Sequence, residues 1–85
     1  MATVSPSNTP NPNAMKFTLD KRLEKSMNFG SAEAAEGNAF AEAVFATDGV
    51  VQVFGVNDFV TVTRRPGVSW DPIVEAVTAA AAEHL

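Results

Sequence analysis

Val50 to Thr63 reads VVQVFGVNDFVTVT, and its interpretation decides the fold. β-Branched and aromatic side chains dominate it, and such side chains pack best on a pleated, half-buried surface. The polar pair Asn57-Asp58 interrupts the run, as a short turn between two paired strands would. The stretch therefore predicts strands over Val50–Gly55 and Phe59–Thr63, joined through Val56, Asn57 and Asp58. The pattern leaves the buried face of the second strand open, because Val60 and Val62 compete with Phe59 for the interior.

A helix is predicted on each side of this hairpin. Upstream, GSAEAAEGNAFAEAVFATDG (Gly30–Gly49) is rich in alanine and glutamate, both strong helix formers, with Gly37 weakening its middle. Asn38 is placed to cap a helix whose buried stripe is Phe40, Ala41, Val44 and Phe45, and Asp48-Gly49 to stop it. Downstream of Pro66-Gly67, Ser69 caps SWDPIVEAVTAAAAEHL, with Pro72 tolerated in the first turn. Trp70, Ile73, Val74, Val77, Ala81 and Leu85 share one face of this final helix.

Further upstream, TPNPNAMKF (Thr9–Phe17) leads into a strand. Proline biases Thr9 and Asn11 away from helix, so the segment reads as an extended lead-in or turn. Met15, Phe17 and Leu19 then alternate with Lys16, Thr18 and Asp20, the period of a half-buried strand. After a turn over Asp20–Leu23, Met27 and Phe29 repeat the alternation, and the two runs are expected to form a hairpin. Residues 1–9 are expected to be a mobile tail, and residues 10–85 a single domain. The prediction is an α+β fold in ββαββα order, a small antiparallel sheet of about four strands with two helices on one face. The other face, carrying Lys16, Thr18, Thr61 and Thr63, would meet water.

Composition narrows the function. With 85 residues, 46% of them hydrophobic and 19% charged, the chain has material for one modest core. It contains no cysteine, which removes thiol nucleophiles, disulfides and thiolate metal ligands. No Ser–His–acid arrangement and no glycine-rich phosphate loop occurs, so no catalysis is expected. The net charge of −4 argues against nucleic-acid binding. No apolar run approaches the ~20 residues of a membrane span, and a cytoplasmic location is expected. The basic residues concentrate at Lys16, Lys21, Arg22 and Lys25 and again at Arg64 and Arg65. Together with Asn11 and Asn13 they form the candidate partner-binding set, expected to give a positive rim at the first hairpin and the end of the last strand.

Three stretches, TPNPNAMKF, SAEAAEGNAFAEAVFATDGVVQVF and NDFVTVT, followed by a tryptophan-led final helix, resemble the N-terminal domain of Nfu/NifU-type iron–sulfur cluster scaffold proteins. The resemblance implies iron binding and cluster assembly, in a family where this domain commonly precedes one carrying a Cys-x-x-Cys pair. It also implies the partner: a cysteine-bearing Nfu-type scaffold domain or an apo iron–sulfur client. Iron enters through the resemblance alone. His84 is the single histidine, and Glu33, Glu36 and Glu42 at helical spacing read as a solvated face, so no stable cofactor or metal site is expected. The resulting expectation is a non-catalytic accessory or partner-recognition domain in iron–sulfur assembly. The alternative is a generic protein-interaction module that reuses the fold outside that pathway.

Overall fold

A computed structural model of the chain describes residues 2–85. Five strands and two helices follow in the order β1 (Val4–Asn8), β2 (Ala14–Leu19), β3 (Met27–Phe29), α1 (Ala39–Phe45), β4 (Val50–Val56), β5 (Phe59–Arg64) and α2 (Trp70–His84). The strands form one antiparallel sheet in the order β1-β2-β5-β4-β3. The α+β class holds, with five strands rather than about four.

β4 and β5 form the central hairpin. Val56 pairs with Phe59, so the turn is only Asn57-Asp58, and Asn57 adopts φ 56°, a left-handed conformation that asparagine tolerates better than most residues. Along β5, Val60 and Val62 are fully buried while Phe59, Thr61 and Thr63 are half-exposed, which settles the facing left open by the sequence. Phe17 and Leu19 from β2, Val53 from β4, and Phe40, Val44, Ile73, Val77 and Ala81 from the helices complete the core beneath them.

Both helices begin where their caps predict. The Asn38 side chain accepts the N–H of Ala41 at 3.0 Å, and Ser69 Oγ accepts that of Asp71 at 3.3 Å. α1 ends at Phe45, and Gly49 follows with φ 96°; a side chain there would also run into Val68. Among the described residues, no helix is long and apolar enough to cross a membrane.

Two expectations are corrected. The stretch read as a mobile tail contributes β1, which pairs with β2 from Val4↔Leu19 to Asn8↔Met15, and Ala2 is buried among core residues. Ser, Pro and Asn hide this strand from composition, yet pairing to β2 satisfies the backbone groups on its inner edge whatever its side chains. TPNPN is accordingly the loop of a β1–β2 hairpin, not a lead-in.

Second, β2 and β3 do not pair with each other; they lie on opposite sides of the β5–β4 pair. Residues 20–26 cross over the tip of the central hairpin instead. The Leu19 N–H donates to the Asp58 carbonyl (2.7 Å) and the Leu23 N–H to that of Asn57 (2.6 Å). Gly55 makes room for this passage, since a Cβ there would stand 3.0 Å from Leu23 Cδ1 and 3.1 Å from Met27 Cγ. Both side chains use that space to pack onto the core.

Candidate functional site

Both helices lie on the side of the sheet that Phe17, Val53, Val60 and Val62 face, and strand alternation sends the intervening residues to the uncovered side. The register arranges these in two rows. Ser7, Lys16, Thr61, Phe54 and Asn28 stand opposite one another in turn across all five strands. Beside them run Ser5, Thr18, Phe59 and Val56. Lys16 is the one charged residue on this surface among the described residues. Its Nζ lies 4.6 Å from the centre of the Phe59 ring, a cation–π geometry, and the Phe59 ring is 6.5 Å from that of Phe54.

The other sequence-predicted residues are not brought together on one rim. Antiparallel pairing of Ala14 with Thr63 and Thr18 with Phe59 puts Arg64 beside the start of β2 and Lys21 beyond its end. The positive rim expected at the first hairpin and the end of the last strand is therefore divided between two ends of the sheet, with Lys16 between them. At one end, Arg64 shares the strand parity of Val60 and Val62, and so turns toward the helix side. Its guanidinium donates to the carbonyls of Val68 and Pro12 (3.3 Å to the latter) and lies 4.9 Å from the Trp70 ring centre. Trp70 Nε1 donates to the same Pro12 carbonyl at 3.4 Å. Arg65 meets Asp48 at 3.0 Å, a pair whose side chains are 55% and 92% exposed and which adds little to stability.

TPNPN is held from within. The Thr9 hydroxyl lies 2.9 Å from the carbonyls of both Asn11 and Ala14, with one proton to share between them, and the Asn11 side-chain oxygen accepts the N–H of Asn13 at 2.9 Å. The Asn11 amide oxygen thus serves the turn. The Asn13 carbonyl accepts the Arg64 N–H at 2.8 Å, which ties the loop to β5.

At the opposite end, Lys21 Nζ donates to the Leu85 carbonyl (3.1 Å) and Arg22 to the Asn57 side chain (3.4 Å). Lys21 and Lys25 border a cleft of about 470 Å³ whose lining includes Leu23, Met27, His84 and Leu85. Asp20 turns to β1: the Thr3 N–H donates to its carboxylate at 3.0 Å and holds that carboxyl below its ordinary value.

Phe54 and Phe59 are the surface residues that the sequence reading missed. The signal was present in the turn length, since a two-residue turn at Asn57-Asp58 fixes Phe54 opposite Thr61 and puts both phenylalanines on one face.

The donor set does not fit an iron–sulfur cluster. The chain has no thiolate to offer, and His84 lies 3.6 Å from Glu83 with no further ligand gathered about it. Among the described residues, no group of three or more His, Asp or Glu could hold a metal ion.

Residues 4–85 match the family described as "Scaffold protein Nfu/NifU N terminal". The chain belongs to the Nfu/NifU N-terminal family. The resemblance read from the sequence is thereby established over every strand and helix described above. This Nfu/NifU N-terminal domain is 40% identical to NifU-like protein 5, mitochondrial, of Arabidopsis thaliana, over 80% of the chain and 26% of that protein. It is 36% identical to the human NFU1 iron-sulfur cluster scaffold homolog, mitochondrial, over 73% of the chain and 25% of that protein. The chain thus spans about a quarter of the length of these curated relatives. Among solved structures, protein SAV1430 from Staphylococcus aureus is similar at TM-score 0.76 and 30% identity, over 92% of this chain and 96% of that one.

Proposed function

We propose that this Nfu/NifU N-terminal domain is a non-catalytic partner-recognition module in iron–sulfur cluster assembly. It engages a cysteine-bearing Nfu-type scaffold domain or an apo iron–sulfur client, whose thiolates hold the cluster as cargo. Family membership over residues 4–85 carries this reading, together with similarity to a relative named as an iron–sulfur cluster scaffold homolog. The division of labour follows from ligand chemistry: clusters need thiolates, and this chain has none. What it does have is a sheet face that neither helix covers, and binding is a use such a face can serve without catalysis.

The test has two arms. Reconstitution of the chain alone with iron and sulfide under reducing conditions is expected to give no stoichiometric chromophore, and any iron retained should be removed by mild chelation. In the second arm, a separately produced cysteine-bearing Nfu-type domain and an apo iron–sulfur client are titrated with the chain by calorimetry. Saturable binding to either supports the reading. A stable cluster with about one iron or more per chain, or no binding to both proteins, would overturn it.

A further inference from the structure

We infer that the partner docks on the open sheet face around Lys16, Phe54 and Phe59, and that it meets this face with a carboxylate set among apolar side chains. This rests on the partner-recognition reading above and adds to it the place and chemistry of the contact.

The core is complete without the outer rows: Phe17, Val53, Val60 and Val62 are fully buried on the helix side. Phe54, Val56 and Phe59 still stand half-exposed on the uncovered side, with Val51 38% exposed at the bulge in β4. A contiguous apolar patch of this kind, rimmed by Ser5, Ser7, Thr18 and Thr61, has the anatomy of a binding surface, with aromatic anchors at its centre and hydrogen-bonding groups around them. These strands lie in a paired sheet, so their backbone is already ordered and binding need not order it.

Charge selects the occupant. Lys16 is the single ionic group on the face among the described residues, in a chain whose net charge is −4. Its ammonium is already placed over the Phe59 ring at 4.6 Å, which limits the freedom it would lose on pairing. An apolar partner without a carboxylate would desolvate this cation and leave it unpaired, whereas an aspartate or glutamate satisfies it. A second copy of the same face would set Lys16 against Lys16. A nucleic acid would bring a phosphate for every nucleotide to a surface with one cation.

The deciding experiment titrates the ¹⁵N-labelled chain with the separately produced apo, cysteine-bearing Nfu-type domain, and in parallel with an apo iron–sulfur client, following amide shifts and affinity. Shifts are expected at Lys16, Phe54, Phe59 and Thr61, with α1 and α2 little changed. Lys16→Glu is expected to weaken binding by about tenfold or more, and Lys16→Arg to keep it within about threefold. Phe59→Ser should weaken it comparably. Glu75→Gln, exposed on α2, should leave it unchanged, and circular dichroism checks the fold of each variant. Binding that maps to the cleft of Leu23, Met27 and His84 or to the TPNPN loop would overturn this docking face while leaving the partner-recognition reading intact. Full affinity in Lys16→Glu would do the same. Concentration-dependent shifts on these strands without partner would assign the face to a second copy, and saturable binding of a single-stranded oligonucleotide there would assign it to nucleic acid; either overturns the inference. If neither protein binds, the recognition reading falls and the docking face falls with it.

Discussion

Lys16 and Phe17 are neighbours in β2, as Phe59 and Val60 are in β5, yet each pair is split between two surfaces of one sheet. Phe17 and Val60 are fully buried beneath the helices, whereas Lys16 and Phe59 stand half-exposed on a surface no helix covers. The inner face derives its hydrophobic stabilisation from transfer out of water and close packing, which scale with the area removed. The outer face buries only part of two phenylalanine rings, so the fold gains less from them. Apolar side chains that contribute little to folding are free to be selected for contact, and this separates the two faces more sharply than composition does.

The largest expected effect is on the inner face. Phe17→Ala should cost about 3–5 kcal/mol, enough to unfold much of a domain this small, while Phe59→Ala should cost about 1 kcal/mol or less. Urea denaturation of the two variants measures the difference directly, and equal losses would break the comparison. An intermediate effect is expected at the corner between the faces, where Arg64 links the TPNPN loop, Val68 and Trp70. Arg64→Ala removes charge-assisted bonds to the Val68 and Pro12 carbonyls and the stacking on Trp70. The expected cost is about 1–3 kcal/mol, with faster amide exchange at residues 11 and 13, while the same change at Arg65 should be nearly silent. The smallest effect belongs to Asp20. Because the Thr3 N–H holds its folded-state value below that of the unfolded chain, its contribution is fully present above the ordinary carboxylate range and lost as pH falls through the lowered value. Amide exchange in β1 should quicken over that acidic interval, and Asp20→Asn should abolish the change.

What could be read from the sequence was local. Asn38 and Ser69 announced their helices because a cap is a bond between residues two or three apart, and the β4–β5 hairpin was visible because its turn and both strands are contiguous. β1 escaped because VSPSN has no apolar alternation; its partner strand, not its composition, makes it a strand. The supposed β2–β3 hairpin failed for the converse reason. Proximity in sequence favoured pairing, but the room at Gly55 and the carbonyls of Asn57 and Asp58 draw residues 19–23 across the hairpin tip, and those contacts join residues more than thirty apart. The site divides in the same way. Lys16 was legible as an outward residue, whereas the company it keeps depends on register across all five strands. Arg64 was read by its charge as part of a positive rim, whereas the side it faces is decided by strand parity and could be read only once the register was known.

Pro6 in β1 and the brevity of β3 also govern how these molecules behave toward one another. At its two lateral margins a sheet offers backbone groups on which another chain could extend the ladder, the route to amyloid-like stacking. At one margin Pro6 contributes no N–H, and at the other β3 ends after Met27–Phe29. Lateral growth is discouraged on both sides, so the protein can leave an apolar surface uncovered while resisting polymerisation through its backbone.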